Sequence, residues 1–376
     1  MVDVDNLRKY EHIVIYGAGI IARNVYGCLS GAPFFLTVSA FIVSEKENGF
    51  DELLGIPVIS VREGDRYKQN ALVFIAVMDK YYEEIYATLQ REKYEHIVSL
   101  TFESSLWENF REQYMIELWK RQNKEYLILE QEIAKLNKVH KKKLHDDRRT
   151  NVSLYRVCSH MDKELKSDML SFDWEIPIQA GASLTKERIS SICDDQRDNI
   201  SGKNTEYCEL TALYWIWKHD FSEYVGMCHY RRHFHLNVEQ LSKLPVADID
   251  VILTTPVLNF PSIRWIYAHD HIENDWNIMM EAIKVLQPDY YEKAEQLQGG
   301  VFYYAYNMFI ARKEILNAYC EWLFPILTYC EEKCGRKTDA YQNRYIGFLS
   351  ERLMSIYFLH HEYEYKIVHT EKIFLQ

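Results

Sequence analysis

Glu223–Phe234, EYVGMCHYRRHF, is the stretch on which the fold turns. Its apolar run Tyr224-Val225-Gly226-Met227-Cys228 leads directly into His229-Tyr230-Arg231-Arg232-His233. That is the pattern of a buried strand delivering cationic side chains to its carboxyl end. In open α/β sheets ligands bind at that end. Paired arginines suit an anion, since each planar guanidinium can donate two hydrogen bonds to one phosphate. An edge strand followed by a solvated basic turn is the plain structural alternative.

The chain around this stretch has 376 residues and predicts two or three domains. Its 48% hydrophobic and 26% charged content is that of a globular protein. A net charge of −11 argues against nucleic acid as the main partner, because phosphate-backbone binding needs a broad cationic face. The basic cluster at 229–233 therefore needs a local explanation. The 28 Tyr and 8 Trp supply flat apolar faces with a polar handle, which suits sugar or base stacking as well as core packing. Eight cysteines, with only Cys330 and Cys334 closely spaced, form no disulfide or zinc framework, so a reducing compartment is expected. No signal peptide and no apolar run long enough for a bilayer is found. The expectation is a cytoplasmic protein, with peripheral contact at the inner face of a membrane as an option.

Toward the amino terminus, HIVIYGAGIIA (12–22) reads as strand, glycine turn and helix start of a Rossmann-like unit. Gly17 and Gly19 would let a phosphate approach the backbone, and Glu45 after the second strand is the candidate for a ribose hydroxyl. Further strands are expected at 38–43, 56–59, 72–77 and 97–100, with a helix over 80–93. The blocks IYGAGIIA, FIVSE and GIPVIS resemble the N-terminal domain of bacterial sugar acetyltransferases. That resemblance implies a nucleotide-sugar or dinucleotide pocket in residues 1–103, while a nucleotide-like fold kept for packing is the alternative.

Residues 104–149 read as a helical linker. Trp119, Tyr126 and Ile133, with Leu129 and Leu136, recur at heptad spacing, so the helix 106–144 is expected to pair with itself in a homodimer or to pack on one of its own domains. Its basic tail, KVHKKKLHDDRRT, reads as a solvated charge run or a contact for anionic lipid.

From residue 150 to 376 a second α/β domain is expected, with strands at 152–158 and 251–253 and a helix over 207–219. The blocks PIQAGASL, DNISGKNTEYCELTALYWIWK, EYVGMCHYRRHF, NMFIARKEILNAYCEWLFPIL and GFLSERL resemble a bacterial capsular-polysaccharide and O-antigen glycosyltransferase family, long catalogued as a domain of unknown function, some of whose members are galactofuranosyltransferases. The fold expected overall is α/β, two Rossmann-like domains joined by a long helix, the second GT-A-like. The resemblance implies transfer of a sugar, galactose or galactofuranose, from a UDP-sugar to a growing cell-surface glycan or lipid-linked glycan.

GT-A enzymes commonly hold the donor pyrophosphate through a divalent metal on an Asp-x-Asp that follows a strand. Here Asp248-Ile249-Asp250 precedes its strand, and His229, Tyr230, Arg231 and Arg232 occupy the place of the metal motif. Fixed cations can neutralise a leaving diphosphate as a metal does. Donor binding without a required cofactor or metal is therefore expected, a divalent metal being the less favoured option. The resemblance also points to Asp198, Asn199, Asn204 and Glu209 for the nucleoside, turn formation and capping being their plain alternatives. Asn307 is a further donor-side candidate. For the base that takes the acceptor proton the candidates are His271 and Asp275, four apart and so neighbours if helical, and Glu351, which could equally form an ion pair with Arg352. Two rivals remain open: an NAD-dependent nucleotide-sugar oxidoreductase or epimerase, for which the first domain offers no Tyr-x-x-x-Lys pair after its glycine turn, Tyr81 and Tyr82 lacking a lysine at that offset, and a non-catalytic nucleotide-sugar-sensing scaffold.

Overall fold

A computed structural model gives the fold, with residues 3–46, 50–139, 150–165 and 172–375 described. The chain divides into two compact units, Met1–Tyr126 with Leu258–Pro261 and Leu127–Val257 with Ser262–Gln376.

The first unit holds a six-stranded sheet of β1 (His12–Tyr16), β2 (Val38–Val43), β3 (Glu52–Leu53), β4 (Ile56–Ser60), β5 (Ala71–Ile75) and β6 (His96–Ser99), in the order β3-β4-β2-β1-β5-β6. All pairings are parallel except β3 with β4. β5 is buried along its whole length, as its unbroken run ALVFI requires of a strand covered on both faces. Gly17 follows β1, which is paired on either side with β2 and β5. With φ of +117° and a would-be Cβ 2.7 Å from the Ala76 carbonyl oxygen, it is needed there for close backbone packing. Gly19 caps the helix Ile20–Ser30, and Glu45 is exposed beyond β2.

The long helix expected over 106–144 is two helices, Ser105–Arg121 in the first unit and Leu129–Val139 in the second. Asn123, at φ +57°, ends the first, and the Lys124 N–H turns back to the Trp119 carbonyl. The residues of the expected heptad seam are used internally: Trp119 meets Tyr126 edge-to-face, while Leu129 and Ile133 enter the core of the second unit. The basic run at 140–149 lies outside the described residues.

The second unit is built on β7 (Val152–Cys158), β8 (Glu175–Gln179), β9 (Ile192–Cys193), β10 (Tyr224–His229), β11 (Arg232–Phe234) and β12 (Val251–Thr254). The two-residue strands β13 (Val257–Leu258) and β14 (Phe302–Tyr303) stand outside this sheet, which is completed by β15 (Phe309–Arg312), β16 (Ile367–Thr370) and β17 (Lys372–Phe374). Its order is β16-β12-β15-β10-β7-β8-β9, with β11 joined to β10 and β17. β10 runs parallel to β7, and β7 to β8, so their carboxyl ends share one edge. β15 is antiparallel to both of its neighbours, β10 and β12, and therefore brings its amino end to that same edge. Gly226 marks the tightest point, since a Cβ there would lie 2.4 Å from the Phe309 carbonyl oxygen. Among the described residues no helix is long and apolar enough to cross a membrane.

Candidate active site

The edge where β7, β8 and β10 end opens into a cleft of about 750 Å³. Its charged lining is Asp162, Glu209 and Glu351 against Arg231, Arg232, Arg336, Lys337 and Arg344. A cationic excess here, in a chain of net charge −11, matches an anionic ligand.

The hairpin of β10 and β11 supplies the arginines. His229 opposes Arg232 across it, and β17 pairs with β11 so that Phe374 opposes Arg232. The Arg231 guanidinium lies 5.1 Å from the Tyr230 ring and 5.8 Å from Phe374, and that of Arg232 4.5 Å from Tyr306 and 5.2 Å from Phe374. These rings hold the planar guanidiniums beside the cleft. Among the described residues, the buried Arg231 Nε has no hydrogen-bond partner.

The floor is a turn in which Tyr306 and Asn307 both take left-handed backbone conformations, at φ +69° and +51°. His229 Nε2–H donates to the Tyr306 carbonyl at 2.5 Å, which leaves Nδ1 as the ring nitrogen able to accept. Burial, with the Arg232 and Arg344 charges, lowers the His229 pKa against the pull of Glu209. The Tyr306 N–H donates to Glu351 Oε1 at 2.8 Å, and Arg352 holds Oε2 at 2.7 Å. Burial raises the Glu351 carboxyl pKa, and the ion pair expected as its alternative is present.

Asn307 is fully buried and donates to Glu209 Oε1 at 2.7 Å and to Ser350 Oγ at 2.8 Å. It thus fixes a carboxylate from behind, where the sequence reading has it touching the donor. Glu209 stands before the helix Leu210–His219, not in its first turn, because the expected helix over 207–219 breaks at Cys208 with φ +52°. The Cys208 thiol accepts from Arg344 Nε at 3.3 Å, and burial pushes its pKa up to about 12, so it is no nucleophile at neutral pH.

Asn204 lines the cleft and ties the loop together through the Cys208 carbonyl at 2.6 Å and Thr211 Oγ1 at 3.0 Å. Asp198 and Asn199 do not line it. Asp198 accepts from the Tyr214 hydroxyl at 3.2 Å, and Asn199 donates to the Asp195 and Arg197 carbonyls, both shaping the turn.

His271 and Asp275 do not share a helical face. His271 is extended, between the helices Ile263–Asp270 and Glu273–Leu286, and stacks on Phe348 at 4.0 Å, while buried Asp275 pairs with Lys337 Nζ at 2.8 Å. Burial, and then the Arg352 and Arg344 charges, lower the His271 pKa to about 3, a weak base at neutral pH. The unfolded chain protonates this histidine near its ordinary 6.5, so the folding stability it leaves intact above that pH is lost as pH falls toward 3. His369, lowered to about 4 mainly by burial, acts in the same sense. Thermal unfolding at pH 7 and pH 4.5 should show a smaller acid-induced fall in Tm for His271→Phe than for the wild type. An equal fall in both would remove His271 as a cause.

Asp162, which follows β7 in the loop Ser159–Asp162 and lines the cleft, is not among the site residues expected from the sequence. Its Oδ2 accepts the Ser159 N–H at 2.7 Å, and burial raises its pKa to about 6 despite that bond and the nearby Arg231 charge. Its position just past a central parallel strand is the signal that could have marked it. Arg336, Lys337 and Arg344 come from a separate loop and carry no comparable signal.

Asp250 pairs with Arg312 Nε at 2.7 Å beside the first residue of β12, and Asp248 lies 3.4 Å from the same guanidinium. Arg312 opposes Tyr224, the first residue of β10, so these aspartates are at the opposite end of the sheet from the cleft and do not fit a donor-site metal. Glu175, Cys228 and His233 form the one group with metal-ligand spacing among the described residues, and it is buried. There His233 Nδ1 lies 2.9 Å from both Glu175 oxygens, its buried Nε2 has no hydrogen-bond partner among the described residues, and burial keeps the Cys228 thiol protonated, which describes a histidine–carboxylate pair.

The apo structure of WbbM, described as a bifunctional glycosyltransferase, is similar to this chain, with 26% identity and a TM-score of 0.54 over 60% of the chain. The match spans 45% of the WbbM chain, less than half its length. No curated protein matches. The family model described as a domain of unknown function, DUF4422, matches residues 155–362, more than half of the chain and the span from within β7 through the helix bearing Glu351, so the protein belongs to the DUF4422 family.

Proposed function

We propose that the chain is a glycosyltransferase that binds a UDP-sugar in the cleft and passes its sugar, galactose or galactofuranose, to a hydroxyl of a growing cell-surface polysaccharide. The observation that carries this reading is the Arg231 guanidinium, held between rings at the carboxyl end of β10 with its buried Nε unpartnered. The volume of the cleft suits a nucleotide sugar. The similarity to WbbM supports the same class of chemistry.

In this mechanism Arg231 and Arg232 grip the diphosphate through charge-assisted hydrogen bonds, and Arg344, which lines the same cleft, adds positive charge. As the bond from the anomeric carbon to the phosphate oxygen breaks, the negative charge moving onto the diphosphate meets cations already in place, so no donor-site metal is needed. Glu209 takes the acceptor hydroxyl proton, with Asn307 pinning Oε1 and so orienting the carboxylate. Asn204 and Asp162 border the same space and contact the nucleoside.

Calorimetric titration of the full-length chain with UDP, UDP-galactose, GDP and NAD tests the reading. UDP and UDP-galactose are expected to bind with micromolar affinity, and UDP-galactose to be slowly hydrolysed. Binding of NAD without UDP would overturn the proposal in favour of an oxidoreductase, and UDP binding with no turnover of any UDP-sugar would favour a sensing scaffold.

A further inference from the structure

Beside the cleft is an aromatic ledge to which no role has been assigned. Tyr341 is 52% exposed and belongs to the segment whose neighbours Ala340, Asn343 and Arg344 line the cleft. Its ring lies 5.1 Å from Phe348 and 5.8 Å from His271, nearly parallel to the latter at 24°. His271 and Phe348 are themselves stacked at 4.0 Å and 23°. Three rings thus back one another, with the Tyr341 ring outermost. Gln342 Nε2 donates to the Asp270 carbonyl at 3.0 Å and ties this segment to the end of the helix Ile263–Asp270. On that helix Trp265, 40% exposed, stacks on His269 at 5.5 Å and 24°. Polar groups stand among the rings: His269 and Asp270, 2.8 Å apart, have side chains 55% and 37% exposed.

We infer that this ledge, with Tyr341 as its outermost ring and His269 and Asp270 beside it, is the acceptor subsite and binds a sugar unit of the glycan chain. The inference rests on the transferase reading of the cleft. A pyranose or furanose presents a face of C–H groups, which packs on a flat ring, and a rim of hydroxyls, which needs donors and acceptors at the ring edge. The ledge offers both within one short stretch of surface. A protein partner would call for a contiguous apolar patch, whereas these rings are interrupted by an amide, a carboxylate and an imidazole. The ledge adjoins the cleft, since Tyr341 follows Ala340 and precedes Asn343 and Arg344, all three of which line it. An acceptor resting there would bring its terminal hydroxyl toward the cleft floor. The neutrality of His271 at working pH suits a stacking ring and not a base.

The test uses the full-length chain on an array of immobilised galactose-, glucose- and N-acetylhexosamine-containing oligosaccharides, alongside calorimetry with UDP. Wild type should bind at least one array glycan. Tyr341→Ala should weaken that binding roughly 3- to 10-fold, the worth of one ring stack, while Tyr341→Phe retains it. Because Tyr341 is half-exposed, the Ala variant should fold, and its UDP affinity should equal that of the wild type. Arg231→Ala should lose UDP and keep the glycan. The inference is overturned if wild type binds no array glycan, if Tyr341→Ala binds it as well as wild type, or if Tyr341→Ala weakens UDP and glycan together. Glycan binding without any UDP binding would sink the donor reading of the cleft and spare the ledge.

Discussion

Glu209→Gln is expected to lower sugar transfer by roughly 10²- to 10⁴-fold, the contribution of a positioned general base. The amide is isosteric and its oxygen still accepts the Asn307 bond, so the cleft keeps its shape and UDP affinity should stay within about twofold of wild type. What is lost is the ability to hold the acceptor proton. Glu351→Gln makes the informative contrast. Both oxygens of Glu351 are already engaged, one by the Tyr306 N–H and one by Arg352, so its loss loosens the floor turn and lowers Tm along with activity. Steady-state kinetics and thermal unfolding of the two variants distinguish the roles. Full turnover in Glu209→Gln beside lost turnover in a stable Glu351→Gln would move the base to Glu351.

The second large effect is at Arg231. Hydrogen bonds to charged groups are each worth about 1.5–3 kcal/mol, so Arg231→Ala should weaken UDP binding roughly 10- to 150-fold. Arg231→Lys should recover only part of this, because an ammonium restores charge without the two-pronged geometry. Since the guanidiniums supply the charge, EDTA should leave wild-type transfer unchanged and manganese should not rescue Arg231→Ala. If EDTA abolished transfer and manganese restored it, the arginine mechanism would be wrong.

The strands read at 152–158, 224–228 and 251–253 were legible because their signals are local. The run 224–228 is buried throughout, and the parallel pairing of β10 with β7 puts its basic end at the edge that opens into the cleft. Five of the first unit's six strands were legible for the same reason, each being a short apolar run between turn residues, while the two-residue β3 gave no such run. What escaped depends on breaks in regularity or on long-range proximity. Placing His271 and Asp275 on one face assumed an unbroken helix, and a single extended residue at 271 undoes it. The linker helix failed in the same way at Asn123. Asp198 and Asn199 are polar residues of a turn, and their side chains serve the turn. Asn307 has the chemistry of a ligand contact, but burial and a bond to Glu209 make it a support, which only the packing of β15 reveals. Arg344 reaches the cleft from the residue before the helix Tyr345–His360, and no spacing in the sequence joins it to Arg231.

The central place of β15 has a consequence for how the protein is made. β7, β8 and β10 can pair as soon as they leave the ribosome, but the free edge of β10 stays open until residues 309–312 have been synthesised and inserted. Insertion joins segments far apart in sequence, which makes it a slow step in folding. Until then the chain presents an apolar, unsatisfied strand edge of the kind that seeds aggregation. The same event brings Tyr306 and Asn307 beneath His229 and Glu209, so completion of the cleft and protection from misassembly arrive together. Slowed translation or a chaperone acting before β15 emerges should therefore govern the yield of active protein more than any change at the cleft rim.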